Sequence, residues 1–336
     1  MTEEQYKKLN ECLNECFLRL QVLDPVFIKN LRMLSYASDV IVDSFEERIE
    51  NNSQQNNLTF EDVYLLAREI VRNINECYLE KFDKLIKSGS LAFYDDNQSE
   101  NSNYTYIKSV KQDIIDIKRM FNYEDVGILV HEFMHSTNVG KDKTNNAHFL
   151  TEFLSIYFEE YCKKYLIEQK QVNLKEIGVN SRIVDFLHAN RKFNHYCLVL
   201  LAYDKLGNIT TNTPNEMKKI LGITDNTFEK ECLDILKTLE NKEKMTFSNE
   251  NVYNKMVNYF DRSYRYVIGT LLAYYALNYC KFEDIVKLNE KINTEEFSNM
   301  NVIKILETIG IKINREFLQK AIECIKSSIQ DSKVMK

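Results

Sequence analysis

Residues 131 to 135 read HEFMH, which places two imidazoles, His131 and His135, four positions apart with a carboxylate, Glu132, beside the first. On a helix, residues four apart share a face with Cβ atoms about 5–6 Å from each other, so both rings can reach one metal ion. Zinc suits this set. Two histidine nitrogens and one further protein ligand leave a fourth position for water, the arrangement of a catalytic rather than a structural zinc site. Glu132 is then placed to take a proton from that water. The chain holds 5 histidines in 336 residues, and so few give this string by accident in under about one chain in a hundred.

The third ligand has to come from elsewhere. A metzincin would carry a histidine at position 141, where this chain has Lys141. Downstream, His148 to Tyr161 has an apolar helical pattern built on Phe149, Leu150, Phe153, Leu154, Tyr157, Phe158 and Tyr161. Glu152 interrupts it, with Ser155 and Glu159 at i+3 and i+7 on the same side. A carboxylate on an otherwise buried helix is costly unless paired or metal-bound, which makes Glu152 the natural third ligand. Glu159 could orient a ligand histidine from behind. His148, at the start of the helix, is a rival ligand. His188 and His195, seven apart in another helical segment, read as exposed or hydrogen-bonded side chains.

These residues need helices to hold them, and the composition supplies them. Only 2 prolines and 8 glycines occur, so long helices with few tight turns, a mainly α fold, are expected. Asn122 can cap the metal-binding helix with Asp125 at its third position, and Val126, Leu129, Val130, Phe133 and Met134 form its apolar stripe. Thr2 with Gln5 starts a first helix to about Val22, and Pro25 marks a turn into a second to about Glu50. Residues 51–57 form a polar loop, and one helix is expected from Thr59 to Lys87. Gly89 opens the least helical part, where LAFYDD and YTYIKSV read as short strands. The loop NITTNTPNE precedes further helices from about Pro214 and Asn226.

Composition also limits the partners. The net charge of −6 is mixed along the chain and leaves no footprint for nucleic acid and no basic membrane patch. No run of 18 apolar residues and no signal-like start occur, and the 8 cysteines form no CxxC pair. Cys12 and Cys16 fall on the apolar face of the first helix, so reduced, buried thiols and a cytoplasmic location are expected. The organisation expected is an N-terminal helical region, 1–104, and a catalytic region, 105–336, together one compact unit.

Four runs in order, FNYEDVGILVHEFMH, LTEFLSIYFEEY, SYRYVIGTLLAYYAL and KILETIGIKINREFLQKAIECIKSSI, resemble the landmarks of the thimet oligopeptidase and oligoendopeptidase F family of zinc metallopeptidases, which are gluzincins. The resemblance implies a helical zincin fold with a small sheet or hairpin beside the metal-binding helix. It implies one zinc ion per chain held by His131, His135 and Glu152, with Glu132 as general base. Tyr264 and Tyr266, ahead of Gly269, match the tyrosines that bind substrate and support the transition state, without deciding between them. The implied substrate is a peptide or extended protein segment, bound along an edge strand for which Tyr104 to Val110 is the candidate. The last run matches a C-terminal helix pair.

The chain departs from the family at Met134, usually glycine, at Asn138, often histidine, and in a shorter connection between His135 and Glu152. No histidine follows His195, so the oxyanion role falls on tyrosine alone. Family members are about twice as long, the difference being largely a helical domain that roofs the substrate channel. Gly269 within a helical run costs about 1 kcal/mol against alanine, which signals close packing or a nearby ligand. Two other functions fit the same residues: a protease dedicated to one protein, and a zinc- or peptide-binding regulator that keeps the fold without hydrolysis.

Overall fold

A computed structural model of the chain describes residues 1–23, 56–95, 102–138, 147–177, 181–221, 228–244, 252–292 and 302–334, with 294, 297 and 300. It is mainly helical with one small sheet, as the composition leads one to expect. The chain forms two compact units. One comprises Met1–Glu47 with Leu187–Val267, the other Arg48–Phe186 with Ile268–Lys336.

In the first unit, α1 (Glu3–Leu23) opens with the expected cap: Thr2 N donates to Gln5 Oε1 at 2.9 Å and Gln5 N to Thr2 Oγ1 at 3.2 Å. Leu9, Cys12 and Leu13 form its buried stripe, while the side chain of Cys16 lies outside the described residues. Asn10 ties the helix to the segment before the next short helix (Thr213–Leu221), accepting from Ile209 N at 2.7 Å and donating to Ile209 O at 2.8 Å. The expected helix from Pro25 to Glu50 lies outside the described residues.

The second unit holds the elements that carry His131, His135 and Glu152. Thr59 caps α2 (Phe60–Ile74) in a reciprocal box with Asp62. The single helix expected from Thr59 to Lys87 is broken. Asn75 takes an extended conformation and its side chain accepts from Cys77 N at 2.9 Å, a local bond that competes with helix. A 3₁₀ turn, Glu76–Tyr78, and α3 (Leu79–Lys87) follow. Gly89, at φ 65°, turns the chain into the sheet.

Both expected strands form, as β1 (Leu91–Tyr94) and β2 (Asn103–Ile107), the second ending before residues 108–110 of the expected run, which form a turn. A third, β3 (Gln112–Lys118), lies between them, parallel to β1 and antiparallel to β2. Tyr104 pairs with Ile115 and Thr105 with Ile114, which leaves β2 as an edge of the sheet. The alternating buried side chains of Ile115 and Ile117 identify the face of β3 that α4 (Glu124–Thr137) covers.

The start of α4 differs from the expected capping box. Asn122 Oδ1 accepts from Glu124 N at 2.9 Å, but Asp125 reaches further back, accepting from Met120 N at 2.7 Å, Phe121 N at 3.2 Å and Arg119 Nε at 2.9 Å. This fixes a turn in which Phe121 holds φ 58°. The stripe Val126, Leu129, Val130, Phe133 and Met134 is fully buried. α4 packs most extensively on α5 (Ala147–Lys170). Two elements reach both units, α7 (Ser181–Leu206), after the one-turn α6 (Leu174–Ile177), and α10 (Val252–Tyr279), the third helix after it; the helices Thr213–Leu221 and Phe228–Lys244 are α8 and α9. α11 (Phe282–Lys291), α12 (Val302–Thr308) and α13 (Arg315–Val334) complete the second unit.

Candidate metal centre

Helical spacing on α4 and the close packing of α5 bring His131, His135 and Glu152 together, each offering a ligand atom within 4.8 Å of the others. His131 Nε2 lies 3.1 Å from His135 Nε2. Glu152 reaches both, Oε1 standing 3.6 Å from His131 Nε2 and Oε2 3.5 Å from His135 Nε2. Tetrahedral bonds of about 2.0–2.1 Å separate zinc ligand atoms by roughly 3.3–3.4 Å, so this triangle has the right size. Glu152 Oε1 is buried and has no hydrogen-bond partner among the described residues. A buried carboxylate oxygen with nothing to accept from is costly, and a cation satisfies it. Donor type, spacing and this orphaned oxygen all fit a metal ion of zinc's size.

One face of α5 serves the whole group. Ser155 Oγ lies 3.2 Å from His135 Nδ1. Two turns past Glu152, Glu159 Oε2 stands 2.9 Å from His131 Nδ1, a close charge-assisted contact that is not in line for a linear hydrogen bond. Contact at Nδ1 of each ring leaves Nε2 facing the centre. Glu159 is itself held by the forked guanidinium of Arg182, Nε to Oε1 at 3.2 Å and Nη2 to Oε2, and by Lys163 Nζ at 3.4 Å. Lys163 also pairs with Glu160 at 2.7 Å, and Tyr274 on α10 donates to Glu160 Oε2 at 3.1 Å.

Electrostatics follow from this packing. Burial favours a neutral Glu159, yet Arg182 and Lys163 outweigh it and hold its carboxyl well below the usual carboxylate range. Burial also opposes charge on His131, but the Glu159 and Glu152 carboxylates lift its pKa above the ordinary value. Glu132 is 9% exposed, and burial, with Glu152 and Glu159 nearby, pushes its carboxyl up to about 7. A group titrating there can both accept and return a proton near neutral pH.

The two rings differ in access. His131 is 3% exposed and His135 19%. Tyr104 on β2 lies over the His135 ring, centroids 6.2 Å apart at 22°. Its hydroxyl donates to Asp113 Oδ1 at 2.8 Å, Asp113 lies 3.5 Å from Lys81 Nζ, and Lys81 donates to the carbonyl of Ser136 at the end of α4. Asn138, the departure after the motif, closes α4: it is buried and its Nδ2 donates to Met134 O at 3.1 Å. Met134 is buried in the core beside it.

Two glycines permit the close approach. A Cβ on Gly127 would stand 3.4 Å from Glu159 Cγ. One on Gly269 of α10 would stand 3.3 Å from Phe153 N and 3.4 Å from the carbonyl carbon of Glu152. Close packing against the turn that carries Glu152 therefore accounts for Gly269.

The remaining expected residues are placed differently. Tyr264 is buried and Tyr266 half-buried, both on the part of α10 that belongs to the first unit. Their chemical role rests on the resemblance. His188 is exposed, and the side chains of His148 and His195 lie outside the described residues. Sequence reading did not single out Lys163, Arg182 or the placement of Tyr104 over His135. Lys163 had a signal, one turn after Glu159, whereas Arg182 is 23 positions away from it and had none.

No protein-family model matches the chain, and no curated protein matches it. Among solved structures, the chain is similar to a crystal structure described as "putative peptidase from Chlamydophila abortus", at 14% identity with a TM-score of 0.52. The match covers 98% of this chain but 55% of that one, so the chain spans little more than half its length. What the two share is a fold.

Proposed function

We propose that the chain is a zinc-dependent peptidase, an endopeptidase or oligopeptidase of the oligoendopeptidase F type. The observation that carries this reading is the triangle of His131, His135 and Glu152 with its orphaned Glu152 oxygen. Zinc held by these three residues would polarise a carbonyl and acidify a water molecule. Glu132 accepts the proton of the attacking water and delivers it to the leaving amine nitrogen, a task suited to a carboxyl near 7. Tyr264 or Tyr266 donates to the developing oxyanion, a contribution of about 3–4 kcal/mol where such donors are removed.

The edge of β2 offers backbone groups to an extended peptide, with Tyr104 beside His135 at the same edge. Among the described residues no helix is long and apolar enough to cross a membrane. The buried thiols of Cys12, Cys162 and Cys232 agree with a reducing, cytoplasmic setting.

The test combines elemental analysis with mass-spectrometric mapping of cleavage in a mixed peptide library, for wild type and Glu132→Gln. One zinc per chain in both proteins, with cleavage only in wild type, is the expected result. Zinc without cleavage in wild type would point to a single protein substrate or a regulator, and absence of zinc would overturn the reading.

A further inference from the structure

Four ionisable side chains are buried behind His131, on the side away from any role in the proposed chemistry. Glu159, Glu160 and Lys163 are each under 10% exposed, and Arg182 is 11% exposed. Burying four charges is expensive, and the same volume filled with apolar side chains is often as stable or more so. Their arrangement is therefore better explained by what it orients. Glu159 contacts a ligand ring at 2.9 Å, and both of its oxygens are gripped by one planar guanidinium. A bidentate fork fixes the plane of a carboxylate, which a single point charge does not.

Resting on the metal reading above, we infer that Arg182 is a positioning residue of the metal centre: through its fork to Glu159 it sets the orientation of the His131 ring and hence the affinity for zinc. Lys163 plays a lesser part, since it is shared between Glu159 and Glu160 and presents one ammonium 3.4 Å from Glu159. Gly127 supports the same geometry by leaving room for the Glu159 stem. The dependence runs over three side chains from three helices, His131 on α4, Glu159 on α5 and Arg182 in the first turn of α7.

The experiment measures zinc dissociation constants by competition with a chromophoric chelator for wild type, Arg182→Gln, Arg182→Lys, Glu159→Gln and the double variant Arg182→Gln with Glu159→Gln. Removing the outer partner of a metal-bound histidine commonly weakens metal binding by about 10–100-fold, and that loss is expected for Arg182→Gln and Glu159→Gln alike. Because both act on one ring, the double variant should bind no more weakly than the worse single one. The visible spectrum of the cobalt-substituted protein should change in each variant, a readout that a merely structural residue would leave alone.

Arg182→Lys guards against misfolding, since it keeps the charge and most of the bulk but loses the fork, and a several-fold loss is expected. Folded Arg182→Lys and Arg182→Gln proteins with zinc affinity within about twofold of wild type, or losses that add in the double variant, would overturn the inference. Wild type that takes up no zinc would instead sink the metal reading itself.

Discussion

Behind His131 the protein is closed and ionic, with Glu159, Glu160, Lys163 and Arg182 packed against one another. Beside His135, one turn along the same helix, it is partly open, and the ring is covered by Tyr104 from an edge strand. Each ring is held by what its surroundings allow. In a dry environment a charge pair is strong when complete and ruinous when half removed. Near solvent, an aromatic stack holds the ring at less risk, from a tyrosine whose hydroxyl is bonded to Asp113.

Removing one partner on the closed side should have the largest effect. Glu159→Ala removes the carboxylate that the buried Arg182 fork grips and leaves Lys163 to Glu160, and a loss of about 3–5 kcal/mol is expected in urea unfolding of the metal-free protein. A loss below 1 kcal/mol would mean that water reaches these charges and that the two sides are alike.

Gly269→Ala probes the backing of Glu152. Its new methyl meets the backbone nitrogen of Phe153, which cannot swing aside. Overpacking of this kind costs about 1–3 kcal/mol, and better helix propensity returns about 1, so a net loss of about 1 kcal/mol is expected with weaker zinc binding. A gain in thermal stability would show that the helices have room to spare.

On the open side the effects should be smaller and should fall on function. Tyr104→Ala is expected to weaken zinc binding by only a few-fold, about 1 kcal/mol or less, the size of an aromatic contact. Tyr104→Phe, which keeps the ring but loses the bond to Asp113, should fall between it and wild type. A stronger effect on zinc than that of Glu159→Ala would invert the comparison.

The same kind of ion pair placed near solvent gives the smallest effect. Asp83, held by Arg68 at 2.7 Å and by the Tyr64 hydroxyl, has its carboxyl pulled down to about 2, chiefly by the bond to Arg68. A depressed folded-state pKa adds stability above the unfolded value of about 3.9, and that part is lost as pH falls towards 2. Solvent screening limits it to about 1 kcal/mol, so Asp83→Asn should flatten the acid limb of the stability curve slightly. An effect on the scale of Glu159 would show that burial is not what separates the two.

Much of this was legible in the chain because it is local. The string at 131–135 needs only helical geometry to bring two rings together, and Glu152, Ser155 and Glu159 share a face by the same rule. The scarcity of proline and glycine signalled the helical fold. Local competition and distant contacts were harder to read. Asn75 breaks an apparently continuous helix through one side-chain bond. Strand β3 carries its period in only two buried isoleucines. Arg182 comes to Glu159 through the packing of separate helices, for which no spacing rule exists.

The seven-residue interval between Glu152 and Glu159 bears on the kinds of genetic change the protein can survive. At roughly 100° per residue, seven steps fall about 20° short of two full turns, so both carboxylates address the histidine pair from one helix face. Deleting a single codon between them would swing Glu159 through about 100° and out of reach of His131, even if every chemically important residue were retained. Every residue from 152 to 159 is buried, so a point substitution there acts through local packing, whereas a deletion acts on the alignment itself. Along this stretch of α5, the count of residues is under a constraint of its own, separate from the packing that limits their identity.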